Sequence, residues 1–349
     1  MSFDLFSRIL PAPVGGGFAM AGYWTWCGTV IRGDDGRYHL FASRWPINEP
    51  FAHWAVRSQI VRAASDTPEG PYQFEQVVLG PRDDKPDAFD ARMAHNPAIQ
   101  RCGQTFILYY TGANFDGPTP SADDPALQPS PRWQQSWHSK RIGIATAPSV
   151  LGPWTRRDAP VLDVNPDGWD SVLTSNAAPC VRDDGSALLL YKSASVPHEA
   201  DGRFRGRFML GAAWADHYEG PYRRLGDGPV LRFDDPNAHV EDPFCWHDGQ
   251  RYRAIMKDFN GEIGGEAQAG ISALSDDGEH WILADPPKAY SRIVQWDDGT
   301  TTHPAKLERP QLLLDDQRRP THLFAATCDS ESFNDATRTW CMVFPLRID

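Results

Sequence analysis

The sequence predicts an all-β chain closed into a five-bladed β-propeller, and three observations carry that prediction. First, one phrase recurs: a short axial motif, a tight hairpin, then a strand that ends in a polar cluster. Its clearest copies are HNPAIQRCGQTFILYYTG (95–112), SNAAPCVRDDGSALLLYKS (175–193), VEDPFCWHDGQRYRAIMKD (240–258) and LERPQLLLDDQRRPTHLFAAT (307–327), with a degenerate first copy at 25–44. Second, the landmarks Gly28, Pro97, Pro179, Pro243 and Pro310 are spaced by 69, 82, 64 and 67 residues, a period that signals radial or linear repetition. Third, each unit reads as short alternating strands bounded by Gly, Asp and Pro, with no long segment of helical period.

Four units continue into a third strand and an aromatic turn, as in KRIGIATAPSVLGPW and FMLGAAWADHYEGPY. Four antiparallel strands per unit make a propeller blade. The expected organisation is a single domain, 1–349, with blades at 20–80, 90–160, 170–230, 237–290 and 303–349 and a funnel-shaped pocket on the central axis. The end, TWCMVFPLRID (339–349), reads as a last strand that completes blade five or pairs with the N-terminal segment to seal the ring.

Composition agrees. The 30 Pro and 29 Gly are spread along the chain as many turns require, and 13 Trp with 17 Phe supply filling between blades. A net charge of −12 argues against nucleic acid, whose phosphates need a basic face. No apolar run approaches the roughly 20 residues of a membrane span. The opening MSFDLFSRIL lacks the basic start and apolar stretch of a secretory signal, so a cytoplasmic location is expected. The six cysteines lack CxxC spacing and fall next to apolar residues, which reads as small buried thiols. No cofactor or metal is expected beyond a structural cation for which the propeller axis has room. Oligomeric state is not legible.

In a propeller the start of each first strand and the end of each second strand share a face. That face collects the axial motifs Trp26-Cys27-Gly28, His95-Asn96-Pro97, Ser175-Asn176, Glu241-Asp242-Pro243 and Glu308-Arg309-Pro310, with Lys192 and Lys257 at the ends of second strands. The connections on this face are long, notably 111–140, 193–207 and 258–268, whereas the opposite hairpins are tight. Long loops on a rigid scaffold are where function concentrates. The 111–140 loop, with Trp133, Trp137 and His138, reads as a lid or platform over the funnel. Gly-rich 261–270 reads as a rim loop bringing Glu262 or Glu266 near a ligand, and lacks the context of a phosphate loop.

Among the axial motifs the structural positions repeat while the polar residue varies, the pattern expected when one asymmetric ligand sits on the axis. Asp242 and Glu308 are the first catalytic pair, with Glu241, His95 and Asp90 in reserve, because carboxylates forced together have their proton affinities pushed apart. Asp90 and Asp170 each stand six residues before an Asn, behind an aromatic. That repetition fits a structural cap, or a base that the Asn positions lack. Asn96, Asn176, Arg309, Trp26, Lys192, Lys257 and His303 are the expected substrate-binding residues, as fixed donors and an aromatic wall suit sugar hydroxyls. The lysines have an alternative use, pairing with Asp258 and Glu241.

The phrases HNPAI, VEDPF and ERPQLL, the GIA…GPW tail and the five-unit period resemble the five-bladed propeller glycoside hydrolases, the group of families 43, 32, 62 and 117. The resemblance implies hydrolysis of glycosidic bonds. The family 43 pattern has an Asp at the start of blade one, where this chain has Trp26-Cys27-Gly28, and Asn96 stands where blade two would carry another. Family 117 uses Asp residues with a His as acid; Asp90, His95, His303 and Glu308 are the residues that could take such parts here.

The expected function is therefore an exo-acting, inverting glycoside hydrolase that releases a terminal sugar from a plant or algal oligosaccharide, its acid and base left unassigned. The alternatives are a non-catalytic carbohydrate-binding propeller, and a glycoside phosphorylase or lyase on the same scaffold.

Overall fold

The computed structural model describes residues 4–119, 131–197, 199 and 206–348. Five antiparallel sheets succeed one another along the chain. Blade one is built from Tyr23–Arg32, Tyr38–Pro46, Gln59–Ser65 and Gln73–Leu79, and blade two from Met93–Cys102, Thr105–Ala113, Arg141–Ala147 and Thr155–Arg156. Blade three comprises Ser175–Val181, Ala187–Ser193, Met209–Ala215 and Arg223–Leu225, and blade four Val240–His247, Tyr252–Asp258, Gly270–Ser275 and Ile282–Tyr290. In each, strand one pairs with two, two with three and three with four.

Blade five has three strands of its own, Leu307–Leu314, Pro320–Cys328 and Thr339–Pro345. The fourth position is taken by the N-terminal segment. Phe18 exchanges two backbone hydrogen bonds with Cys341, at 2.8 and 2.9 Å, and Ile9 bridges Leu346. The C-terminal strand thus both completes the last blade and meets the N-terminus, so the ring closes without a free edge there.

The core is a set of apolar wedges between neighbouring blades. Phe41 and Ile60 of blade one meet Ile99, Phe106 and Leu108 of blade two. Ile107 and Tyr109 meet Leu189 and Tyr191, Leu188 and Leu190 meet Met256 and Ile271, and Phe244 and Ile255 meet Leu312 and Leu323. The last wedge seals the ring, with Val30, Leu40 and Val61 of blade one against Phe324, Cys341 and Val343 of blade five, and Phe18 buried among them. The period-two alternation of the strands feeds one wedge on each face of every sheet.

The third-strand glycines show how tightly these layers fit. A Cβ on Gly143 would lie 2.5 Å from the Tyr110 ring, and one on Gly211 would lie 2.4 Å from Tyr191. Both tyrosines are buried, and each donates its hydroxyl to a buried aspartate, Tyr110 to Asp90 at 2.7 Å and Tyr191 to Asp170 at 2.8 Å.

All six cysteines are free thiols and five of them are buried, as their apolar neighbours led one to expect.

Because Phe18 is the side chain by which the N-terminal segment grips the closing wedge, Phe18→Ala is expected to lower the unfolding free energy by about 3–5 kcal/mol. Chemical denaturation monitored by tryptophan fluorescence measures it; a loss below about 1 kcal/mol would mean that the N-terminal segment does not help to close the ring.

Candidate active site

Five first strands converge on the axis, and each carries a bulge at the same place. The pairing register slips between Trp26 and Thr29, His95 and Ala98, Glu241 and Phe244, and Glu308 and Gln311, and opposite Leu190 and Lys192 in blade three. At each bulge one non-glycine residue adopts the left-handed conformation: Cys27 (φ 61°), Asn96 (52°), Asn176 (51°), Asp242 (59°) and Arg309 (56°). A bulge re-aims a side chain, and these five stand in a ring around the axis, joined in sequence from Cys27 to Arg309. The Cys27 thiol donates to Asn96 Oδ1 at 2.7 Å, the Asn96 amide donates to Asn176 Oδ1 at 2.8 Å, and the Asn176 amide donates to Asp242 Oδ1. Arg309 ends the series through its backbone N–H, 3.3 Å from Asp242 Oδ2.

The ring locates one register error in the sequence reading. Blade three contributes Asn176 followed by Ala177 at the position that Pro97 and Pro243 hold elsewhere; Pro179 lies two residues further along, paired with Leu189.

A pocket of about 120 Å³ opens on this face, lined by Trp26, Cys27, Phe51, Trp54, His95, Asn96, Lys140, Asn176, Lys192, Glu241, Asp242, Glu308 and Arg309. Its three carboxylates belong to adjacent blades and are sorted by lysines. Glu241 accepts from Lys192 at 2.8 Å and also from Lys257. Burial raises its proton affinity, but Lys192 and Lys257 overcome that and hold the carboxyl far below the usual range. Glu308 behaves alike: burial opposes ionisation, while Lys257 at 2.9 Å and Lys306 at 3.1 Å, both on Oε1, bring it below the ordinary glutamate value. Asp242 has no ammonium within hydrogen-bonding distance, Lys257 standing 3.8 Å away. Burial first, then the neighbouring charge of Glu241, raises its proton affinity.

His95 is buried with Nδ1 2.7 Å from the Ser58 hydroxyl and its ring stacked on Trp54 at 5.0 Å. Burial, then Lys140, Arg309 and Lys192, push its pKa well below 6.5, so it is a neutral imidazole. Lys257 is 1% exposed and lies beneath the pocket, committed to the carboxylates. The pairing alternative for the lysines is thus what the structure shows with Glu241, though Asp258 instead accepts backbone N–H groups from Gly261, Ile263 and Gly264.

Two expected site residues stand elsewhere. Asp90 is fully buried away from the pocket, where it accepts from Arg82 at 3.0 Å, Arg156 at 3.2 Å and the Tyr110 hydroxyl. Asp170 repeats the arrangement with Arg224 and Tyr191. His303 is exposed just after the Val294–Gln295 and Thr301–Thr302 hairpin and does not line the pocket. Glu266 serves the rim loop itself, accepting from Ser291, the Arg292 N–H and Lys288.

The platform expectation for the 111–140 loop falls partly on 120–130, and the long 193–207 connection partly on 198 and 200–205, outside the described residues. The remainder of the 111–140 loop forms the helix Pro131–His138, which packs Trp133 and Trp137 with Ala55, Leu173 and Trp54 on the pocket face.

Sequence reasoning missed Phe51, Trp54 and Lys140. The first two lie in the connection between the second and third strands of blade one, whose length the motif comparison overlooked. Lys140 ends the long loop whose tryptophans were noticed. Among the described residues no three His, Cys, Asp or Glu side chains are placed to hold a metal.

No protein-family model matches the sequence, and no curated protein does. Solved structures match by shape over nearly the whole chain. A family 117 glycoside hydrolase from the marine bacterium Zobellia galactanivorans is 17% identical with a TM-score of 0.67, covering 98% of this chain and 91% of that one. A thermostable family-43 glycoside hydrolase is 13% identical, TM-score 0.61, with 95% and 92% covered. A GH43_1 enzyme from Xanthomonas citri in complex with xylotriose is 14% identical, TM-score 0.58, with 98% and 91% covered. At these identities the likeness shows a shared fold, the five-bladed propeller of those glycoside hydrolases.

The Asp90 cluster generates a test. Asp90→Asn leaves Arg156 without its counter-charge and Arg82 with only the more exposed Asp158, and is expected to destabilise the fold by about 3 kcal/mol while turnover per folded molecule stays within about twofold. Denaturation and active-site-normalised rates read the two separately; a large loss of rate in a fully stable variant would return Asp90 to the chemistry.

Proposed function

We propose that the protein is an exo-acting glycoside hydrolase that removes a terminal sugar from an oligosaccharide of plant or algal type, with Asp242 as general acid and Glu308 as general base. The observation that supports this reading is the opposed proton affinity of two carboxyls that line one pocket: Asp242 raised, Glu308 lowered. Groups whose environments push their pKa values apart are suited to acid and base roles. A pocket closed at its floor by the axial ring suits a chain end rather than the middle of a polymer.

In this mechanism Asn176 fixes Asp242 Oδ1, and the proton on Oδ2 passes to the leaving glycosidic oxygen. Both lysines on Glu308 occupy Oε1. That leaves Oε2 to take a proton from the attacking water as it adds to the anomeric carbon. A single displacement inverts the anomeric centre. Trp26, Phe51 and Trp54 supply apolar faces for the sugar ring, and Asn96, Asn176, Lys192 and Arg309 stand as polar groups around it.

Asp242→Asn and Glu308→Gln are each expected to reduce hydrolysis about 10²–10⁴-fold without loss of sugar binding, measured as monosaccharide release from a panel of plant and algal oligosaccharides. Binding without any wild-type turnover would favour a carbohydrate-binding propeller. Activity needs Glu308 ionised and Asp242 protonated. Rate should therefore fall on the acid side through a Glu308 pKa below 4.5 and on the alkaline side through an Asp242 pKa above 3.8; an acidic optimum in the pH profile of kcat/KM is the expected result.

The stereochemical step has its own check. Proton NMR of the first-formed sugar should show the anomer opposite to that of the substrate, and retention would rule out single displacement.

A further inference from the structure

We propose that the terminal sugar taken by this pocket is a uronic acid, and that Lys140 is the residue that binds its carboxylate. The inference rests on the hydrolase reading above and names the class of its substrate.

The chain carries a net charge of −12, yet three cations line this pocket, Lys140, Lys192 and Arg309, and two more, Lys257 and Lys306, hold its acids. Against these five stand three carboxylates, Glu241, Asp242 and Glu308. An acidic protein that concentrates surplus positive charge in one buried hollow has made room for an anion.

Lys140 is where the surplus is uncompensated. It is 2% exposed and has no acidic partner or side-chain hydrogen bond among the described residues; its ammonium lies 4.1 Å from the Trp54 ring centre and 4.4 Å from that of Trp137. Aromatic faces offset part of the desolvation of a cation, but they do not replace acceptors for the three N–H donors. The carboxylate whose field reaches it, Glu241, already has one oxygen on Lys192 and the other on Lys257. Burial, and then the charge of Lys192, push the proton affinity of Lys140 well below that of an ordinary lysine. A substrate carboxylate would supply the missing counter-charge, whereas a neutral hexose would leave the ammonium buried and unpaired.

Arg309 adds donors at the floor. It is 2% exposed, and Nε, Nη1 and Nη2 all lack a hydrogen-bond partner, the nearest carboxylate oxygen being that of Asp242 at 3.6 Å. Its planar fork suits oxygens of the same sugar.

The test is calorimetric titration of the whole protein with galacturonate, glucuronate and mannuronate beside galactose, glucose and mannose, together with hydrolysis of matched 4-nitrophenyl uronosides and hexosides. Wild type, Lys140→Met and Lys140→Arg are compared. At least one uronate is expected to bind about tenfold or more tightly than its neutral counterpart. Lys140→Met should lose that preference while its affinity for the neutral sugar is unchanged, and Lys140→Arg should keep most of it. A wild-type preference for neutral sugars would overturn the proposal without needing any variant to fold, as would a uronate preference that survives in Lys140→Met. Turnover that requires added inorganic phosphate would assign the positive charge to phosphate instead and overturn it too. Hydrolysis of neutral hexosides alone would remove the uronate and leave the hydrolase standing; tight uronate binding with no hydrolysis of any glycoside would keep the anion site and remove the hydrolase.

Discussion

Closing five sheets around one axis forces five backbones into the same narrow space, and the way each chain turns aside there governs the rest of the molecule. The solution is the same five times: a bulge that puts Cys27, Asn96, Asn176, Asp242 or Arg309 into the left-handed region. For residues other than glycine that conformation is costly, on the order of 1–3 kcal/mol each. It persists because the surrounding structure over-determines it. The wedges between blades fix every first strand from both sides, Phe18 completes the final wedge, and the side chains of Cys27, Asn96, Asn176 and Asp242 hydrogen-bond in sequence around the axis to the backbone N–H of Arg309. Strain and pocket are therefore one feature, since the bulge that costs energy is what points polar side chains at the axis rather than into a wedge.

Much of this was legible in the sequence because repetition makes equivalence visible. Prolines and alternating apolar residues recur because every blade has the same packing to satisfy, and the varying residue beside them marks the axis. What repetition cannot show is which polar residues find one another in space. Asp90 and Asp170 repeat, and their repetition offered a structural option beside a catalytic one; only the fold reveals Arg82, Arg156 and Arg224 as the partners that occupy them. His303 sits beside a hairpin with no counterpart in the other blades, so no repeat constrained its position. Pro179 misled because a proline in mid-strand resembles a proline at a bulge. Lys140, Phe51 and Trp54 come from connections that differ in every blade, where a periodic reading has no purchase.

The chemistry follows from how lysines are distributed among three carboxylates. Glu241 and Glu308 share Lys257, and each has a second lysine of its own, Lys192 and Lys306. In a buried site an ammonium at hydrogen-bonding distance favours the charged form of a carboxyl more than burial opposes it. Asp242 lies between these pairs without an ammonium in contact. Its neighbours in the ring are an uncharged amide and the Arg309 backbone N–H, and its nearest strong charge of the same sign is the ionised Glu241. The arrangement that lowers the proton affinity of two carboxyls thus leaves that of the third raised. A single extra lysine at Asp242 would oppose the difference, which makes the ring position of Asn176, a neutral donor, as consequential for the proton affinities in this pocket as the carboxylates themselves.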